Sequence, residues 1–302
     1  MVRTGEYRRW PECYILENGK IELVVCTGIG PRVIRLGRPG GPNAFVEYPE
    51  QLEEPKDQWH FYGGHRLWHS PEDLVRTYQP DNKRAAEVLA TEDSLEVIQE
   101  TEEKTGLQKA LRLQIDPVKP RCVVEHRLTN RGLWPIETAA WAISPMAEGG
   151  LAIAPLRGNG KAGEKLPDSK VVLWPYTAMD DPRLNWGREL VCVAQNPGMG
   201  DCKIGLQNGR GWIAYLNRGE LFLVRFLPTL GAVYPDMGAE VEIFTKDIFT
   251  EVETLGPLTR LEPGETLKHT EVWYYFTGFP EWENEGELAE LIADYLQQAP
   301  FV

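Results

Sequence analysis

Short apolar–polar alternations, rather than helical periods, run along most of this chain. Cys13–Leu16 and Ile21–Cys26 flank Glu17-Asn18-Gly19-Lys20, whose Asn-Gly pair is a strong hairpin signal. Arg32–Leu36 follows a second turn, Gly28-Ile29-Gly30-Pro31. The same pattern predicts strands at Ala86–Ala90, Leu95–Thr101, Gln108–Ile115, Arg121–Thr129 and Ile136–Ser144. It continues through Lys170–Trp174, Lys203–Gln207, Gly211–Leu216, Leu221–Phe226, Val241–Phe244, Phe249–Leu255 and Thr270–Phe276. Runs of this length, separated by Gly, Pro and Asn, predict an all-β sandwich or barrel. A parallel α/β sheet would need long amphipathic helices between its strands, and the pattern contains none there.

One helix is predicted, near the end. Asn284 with Glu287 three residues later forms an N-terminal capping pair. Between Glu285 and Gln298, Leu288, Leu291, Ile292 and Tyr295 make a single apolar stripe that would pack on the outside of the sandwich. No tandem repeat, low-complexity tract or linker interrupts the chain, so residues 1–302 are expected to form a single β-sandwich domain. Two intervals without a clear period, Gly40–Pro80 and Ala147–Lys170, are expected to be irregular. Trp59, Phe61, Tyr62 and Trp68 mark the first as ordered and ligand-facing.

Composition adds a size and a charge. With 302 residues, 42% hydrophobic and 25% charged, the chain can bury a large core. A formal net charge of -13 argues against nucleic acid and anionic membrane as partners, because both select basic patches. A small neutral or cationic ligand fits better. The five cysteines (Cys13, Cys26, Cys122, Cys192, Cys202) are scattered and form no C-x-x-C pair, which suits buried free thiols in a reducing compartment. Residues 1–14 lack an apolar signal region, and no stretch approaches about 18 apolar residues. The expectation is a soluble, cytoplasmic protein.

Candidate chemistry concentrates in Tyr62-Gly63-Gly64-His65-Arg66-Leu67-Trp68-His69-Ser70-Pro71-Glu72. Three of the five histidines lie at His60, His65 and His69. Imidazoles exchange protons near neutral pH, and indole and guanidinium grip polar small molecules. His65 and His69 stand four apart, which on a helix would suit one metal ion. The flanking glycines and Pro71 argue against a helix, so no metal is assigned. A second cluster is Glu251 and Glu253, which share one face of a predicted strand. If that face is buried their pKa values rise and one becomes a general base; if it is solvated they form an ordinary polar edge, as the similar alternation of Glu240 and Glu242 suggests. A third cluster, Trp174, Tyr176 and Arg183 with Asp180 and Asp181, suits a sugar, whose C–H faces stack on rings. His126 and His269 read as structural residues of the sheets.

Taken in order, several segments resemble the galactose mutarotase-like superfamily, and within it the aldose 1-epimerase-like members. These are Gly30-Pro31-Arg32-Val33-Ile34, Gly63-Gly64-His65-Arg66-Leu67-Trp68, Leu128-Thr129-Asn130-Arg131-Gly132 and Leu173-Trp174-Pro175-Tyr176. Gly211-Trp212-Ile213-Ala214-Tyr215, Glu253-Thr254-Leu255-Gly256-Pro257-Leu258 and Leu261-Glu262-Pro263-Gly264-Glu265 complete the set. The resemblance spans Glu12 to Phe276. It implies an antiparallel super-sandwich with a sugar or oligosaccharide in an open cleft, and a reaction that needs no cofactor. In mutarotases of this superfamily a glutamate takes the anomeric hydroxyl proton while a histidine protonates the ring oxygen. By position the resemblance implies Glu253 as base and His65 as acid, with Arg66, Trp68 and Trp174 as sugar contacts; His69 is the alternative acid. Glu72, Tyr176, Arg183 and Glu251 complete the expected substrate-binding set.

One departure matters. The superfamily's second histidine, on the strand after the Thr-Asn turn, is missing from Thr138-Ala139-Ala140-Trp141-Ala142-Ile143-Ser144. His65 or His69 then acts alone, or the chemistry is not mutarotation. A non-catalytic carbohydrate-binding protein, or a lyase or hydrolase acting on a glycoside or uronide, remain the alternatives.

Overall fold

Three antiparallel sheets carry the chain in a computed structural model that describes residues 1–156, 165–207 and 209–301. The largest has ten strands, with Thr266–Thr277 and Arg121–Asn130 paired at its centre. Arg121–Asn130 alternates strictly between buried and half-buried positions, the signature of a strand with one face in the core. A seven-stranded sheet runs through Lys170–Leu173, Cys202–Gln207, Val241–Lys246, Phe249–Leu255 and Ile136–Met146. Ile136–Met146 then pairs with both Arg66–Ser70 and Thr259–Leu261. A four-stranded sheet, Val2–Tyr7, Trp10–Glu17, Glu22–Cys26 and Arg32–Gly37, closes one side.

The two large sheets bury their facing sides in one continuous core. Leu111, Val124, Phe222 and Trp273 of the ten-stranded sheet meet Ala140, Ile204, Ile243 and Val252 of the other. Every residue of Phe249–Leu255 is buried, on both faces, so this strand is covered from outside as well. The C-terminal helix, Glu285–Gln298, lies against the outer face of the ten-stranded sheet, with Leu288 and Ile292 packed among Leu223, Val272 and Tyr274. Asn284 caps it by accepting the Glu287 N–H, as its sequence predicts.

Strands fill every interval where the alternation predicts one. Among the described residues, six more lie where none was expected: Val2–Tyr7, Arg66–Ser70, Leu151–Pro155, Leu184–Trp186, Leu190–Ala194 and Thr259–Leu261. The interval Ala147–Lys170 therefore holds the strand Leu151–Pro155, while its residues 157–164 lie outside the described residues. The strand Arg66–Ser70 inside the first supposedly irregular interval has the larger consequence, because it sets which side chains reach the site.

That strand is delivered by two glycines. Gly63 and Gly64 have φ of +81° and +68°. A Cβ on Gly63 would stand 2.2 Å from the Val46 carbonyl oxygen, and one on Gly64 would stand 2.7 Å from that of Val33. Only glycine allows both the left-handed backbone and the close approach. The chain then bridges to the four-stranded sheet through His65 N–H to Val33 O at 2.8 Å and Val33 N–H to His65 O at 3.1 Å. Gly64→Ala should lower stability by more than about 1 kcal/mol, seen as a lower urea midpoint with an unchanged m value. An unaltered midpoint would show that the turn relaxes freely.

Candidate active site

The site is built by cross-strand register. Arg66 lies opposite Ile143 and Trp68 opposite Trp141. Ile143 in turn lies opposite Glu253, and Glu253 opposite Glu242. One row along, Glu251 lies opposite Phe244, and Phe244 opposite Lys203. Directly opposed residues share a sheet face. Arg66, Trp68, Trp141, Lys203, Glu242, Glu251 and Glu253 therefore all project outward, away from the core between the large sheets.

Over this face lies a cleft of about 570 Å³, well within the range of small-molecule sites. Trp59, Phe61, Trp68 and Tyr78 form one wall; Tyr48, Trp141, Trp174, Tyr176, Phe244 and Phe249 contribute the other rings. Arg66, Glu72, Asp201, Lys203, Lys246 and Glu251 supply charge among them. Trp174 comes close to the sheet because the residue below it is Gly205, where a Cβ would stand 3.2 Å from the indole Cζ3. Tyr78 donates its hydroxyl to Glu72 at 2.6 Å.

Charge on the floor is tightly arranged. Glu242 and Glu253 are fully buried and face each other across two strands, a pairing that like charges disfavour. The Lys203 ammonium lies between them, 2.6 Å from Glu242 Oε2 and 3.1 Å from Glu253 Oε2. Burial opposes its charge, but the two carboxylates outweigh burial and hold Lys203 above its ordinary pKa. Trp141 donates its indole N–H to Glu253 Oε2 at 2.6 Å, while the ammonium lies 4.6 Å and 4.8 Å from the ring centroids of Trp141 and Trp174. Burial, reinforced by Glu253, pushes the Glu242 carboxyl well above the usual range against the pull of Lys203. Glu251 accepts from Arg66 Nη2 at 3.2 Å, and burial raises its carboxyl to about 7 despite that neighbour. Arg66 is itself stacked among Trp59, Phe61 and Trp68, 4.6 Å from the Trp68 centroid.

The histidines lie on the other side. His65 continues the alternation of Arg66–Ser70, so its ring points into the core between the large sheets, as does that of His69. His65 Nδ1 is 2.8 Å from Ser144 Oγ, and its Nε2 is 2.7 Å from Nε2 of His126. His126 Nδ1 is 3.0 Å from the carbonyl oxygen of His269, so it must donate there. With both rings neutral, His126 Nε2 then accepts from His65 Nε2–H, and His65 Nδ1 accepts from the Ser144 hydroxyl. Burial holds His65 well below its ordinary pKa, His126 at about 3 and His269 at about 4. Glu271 accepts from Thr254 Oγ1 and Trp273 Nε1, and burial raises it to about 7. His65, His126 and Glu271 are metal-ligand types within 4.8 Å of one another, but the two imidazole nitrogens stand at hydrogen-bond distance.

The expected acid–base pair is thus not assembled: Glu253 and His65 leave opposite faces of one sheet. The physical reason is the period of two in an extended strand, which separates His65 and His69 from Arg66 and Trp68. His69 is buried, with a pKa lowered to about 3 by burial and then by Lys109 and Arg76. Arg183 is also set apart from the cleft. It clasps Asp181 through Nε and Nη2 at 3.0 and 2.8 Å and donates to the Gly200 carbonyl at 2.6 Å. Arg66, Trp68, Glu72, Trp174, Tyr176 and Glu251 do line the cleft. Trp59 and Phe61 reach the cleft as the aromatic content of their segment predicts, whereas Tyr62 is fully buried elsewhere, and Lys203, Trp141 and Tyr78 join without having been singled out as ligand contacts. Two sequence signals touch this ion cluster, the shared face of Glu251 and Glu253 and the polar Glu240–Glu242 alternation, and reading the second as a solvated edge hid the pairing of Glu242 with Lys203.

No family model matches this chain, and no curated protein sequence matches it. Solved structures do. A galactose mutarotase-like protein from Lactobacillus casei superposes with a TM-score of 0.55 at 11% identity, covering 87% of this chain and 100% of that one. A galactose mutarotase related enzyme from Lactobacillus acidophilus gives 0.53 at 12% identity over 90% and 100% of the two chains. A galactose mutarotase-like protein from Clostridium acetobutylicum gives 0.52 at 10% identity over 92% and 98%. The molecule is an antiparallel β-sandwich with an aromatic-walled polar cleft on one sheet face. Its fold is that of the galactose mutarotase-like proteins. None of its described helices is long and apolar enough to cross a membrane.

Two measurements probe the buried charges. Lys203→Met leaves Glu242 and Glu253 opposed without their cation and should cost about 3–5 kcal/mol; adding Glu242→Gln should restore part of it, by urea denaturation. The pH dependence has two limbs. The folded protein keeps His126 and His269 neutral down to about 3 and 4, against 6.5 when unfolded, so the unfolded chain binds more protons in that window. Stability therefore rises with pH up to about 6.5 on this account. Glu251 and Glu271, at about 7 against 4.5, act oppositely, and their contribution is lost as pH rises toward 7. His126→Gln should flatten the acid limb between pH 4 and 6.5, and an unchanged slope there would contradict the buried neutral network.

Proposed function

We propose that the cleft binds a small cyclic aldose and interconverts its anomers by moving one proton between the anomeric hydroxyl and the ring oxygen. The observation that carries this reading is Glu251, a carboxyl in an aromatic-walled cleft, beside Arg66, that titrates near pH 7. Acid and base forms are then both populated at neutral pH, as a proton-transfer group requires. The anomeric and ring oxygens are bonded to the same carbon, and the two oxygens of one carboxyl are likewise bonded to one carbon. Glu251 can give its proton to the ring oxygen and take the hydroxyl proton through its other oxygen. The ring opens to an aldehyde, the carbonyl end rotates, and the reverse transfer closes the opposite anomer.

Other groups fit supporting roles. Arg66 Nη2 stabilises the carboxylate whenever Glu251 has lost its proton. Trp68, Trp141 and Trp174 offer flat surfaces for the C–H faces of a pyranose. Lys203 is held too firmly protonated to act as an acid, and serves instead as a fixed positive charge on the floor, with Glu253 keeping it in place. The similarity to proteins described as galactose mutarotase-like supports the substrate class.

The test is anomer exchange on a panel of aldoses, followed by NMR or polarimetry. The protein should accelerate exchange for at least one sugar, with a pH profile inflecting near 7. Glu251→Gln should lower that rate by roughly 10²–10⁴-fold with sugar affinity retained. Saturable binding without acceleration of any sugar would reduce the cleft to a binding site, and full activity in Glu251→Gln would remove Glu251 from the mechanism.

A further inference from the structure

The cleft runs further along the sheet than one sugar ring requires. Phe249–Leu255 is seven residues long, and its cleft-side positions Phe249, Glu251, Glu253 and Leu255 span about 20 Å at about 3.3 Å per residue. Leu255 lies opposite Trp141, and Trp141 opposite Trp68. At the other end Phe249 lies opposite Lys246. One continuous cavity of about 570 Å³ joins the two ends, from Trp68 and Trp141 to Lys246, Ile248 and Phe249. Sites of that volume hold drug-sized molecules, and a single hexose is smaller. Glu251, Arg66 and Lys203, the groups assigned to the anomeric step, occupy its middle.

The Phe249 end has a chemistry of its own, which the anomeric step does not use. Phe249 stacks on Phe61, with centroids 4.6 Å apart and planes 21° from parallel. Phe244 lies 6.0 Å from Phe249, and Tyr48 lies 5.7 Å from Phe61. Phe61, Phe244 and Tyr48 are half-buried and Ile248 is exposed, so this end is open to a ligand. The Lys246 ammonium lies 5.7 Å from the Phe249 centroid. Arg66 and Lys203 are each held by carboxylates, whereas Lys246 takes part in no ion pair among the described residues. Its three N–H donors therefore remain for a ligand oxygen. Apolar ring faces beside one uncommitted donor on a flexible stem match a pyranose, with its C–H faces and outward hydroxyls.

We propose that this end is a second sugar subsite, and that the aldose reacting at Glu251 is the reducing unit of a disaccharide or longer oligosaccharide. The proposal rests on the sugar reading of the cleft. Ring opening needs a free anomeric hydroxyl, so the second unit is joined through another carbon of the reacting one. The reducing unit lies over the polar middle of the cleft. The second stacks on Phe61 and Phe244, and its hydroxyls accept from the Lys246 ammonium. These contacts are the same before, during and after anomer exchange. They therefore contribute uniform binding, which lowers KM and leaves kcat unaltered.

The experiment uses the full chain and a panel of reducing disaccharides: maltose, cellobiose, melibiose, galactobiose and xylobiose. Each is compared with its own reducing-end monosaccharide, with affinity read by calorimetric titration and anomer exchange by NMR. At least one disaccharide should bind roughly tenfold more tightly than its monosaccharide, the upper end of what one aromatic contact contributes. It should exchange with a correspondingly lower KM at a similar kcat. Phe244→Leu and Lys246→Met, checked for folding by circular dichroism, should each remove most of that preference; if the first fails to fold, the half-buried Lys246 decides. A panel in which no disaccharide binds more tightly than its monosaccharide would overturn the proposal, and so would a preference that the folded variants leave intact. Monosaccharide exchange in that first case would leave the proton-transfer reading standing. A disaccharide preference without exchange would support the subsite and remove that reading.

Discussion

The register of one short strand governs the chemistry of this protein. Arg66–Ser70 pairs with Ile136–Met146 so that Arg66 and Trp68 join the row of Ile143, Glu253 and Glu242. A slip by one residue would send His65 and His69 to the cleft and bury Arg66 in the apolar core. The Gly63-Gly64 turn and the bridge to Val33 hold that register from one end. Ser70, whose carbonyl accepts from Thr138 Oγ1 at 3.0 Å, holds it from the other.

The same sheet thus separates two polar systems that work by different physics. On the outer face, Lys203, Arg66 and three glutamates form a dense ionic floor in which burial raises Glu242 and Glu251 while the paired carboxylates keep Lys203 protonated. On the inner face, Ser144, His65, His126 and His269 are joined by neutral hydrogen bonds whose directions are fixed by a single backbone carbonyl. The inner network resists protonation because burial penalises charge there. The outer floor admits charge because each ion has a partner or a ring against it. Proton exchange near neutral pH is therefore expected from a carboxyl in the cleft, and not from imidazole.

Local features were legible in the sequence where the physics is local. Asn18-Gly19 makes its turn, with Asn18 Oδ1 accepting from Lys20 and Ile21 N–H, and the Asn284 cap starts the helix. The shared face of Glu251 and Glu253 followed from strand alternation alone. What escaped were relations between strands distant in sequence. A stretch dense in glycine, histidine and tryptophan does not announce an extended segment, so Arg66–Ser70 was hidden. Lys203 precedes Glu253 by fifty residues, and no periodicity links them. Glu242 looked solvated because its neutralising cation arrives from another strand. The fold-level resemblance was sound, while its carried-over histidine role fails on geometry.

Gly205 illustrates how much a missing methyl group can determine. Its backbone has no need of glycine's conformational freedom, yet any side chain there would stand 3.0 Å from the Ala239 Cβ and 3.2 Å from the Trp174 ring. The indole packs against the bare backbone there, so a methyl would press it outward by a few tenths of an ångström, and with it one face of the ammonium sandwich around Lys203. The depth of the cleft is thereby coded as an absence. A larger residue at this position would lift the Trp174 ring and make the bowl shallower, changing the shape it offers a ligand without touching any polar group.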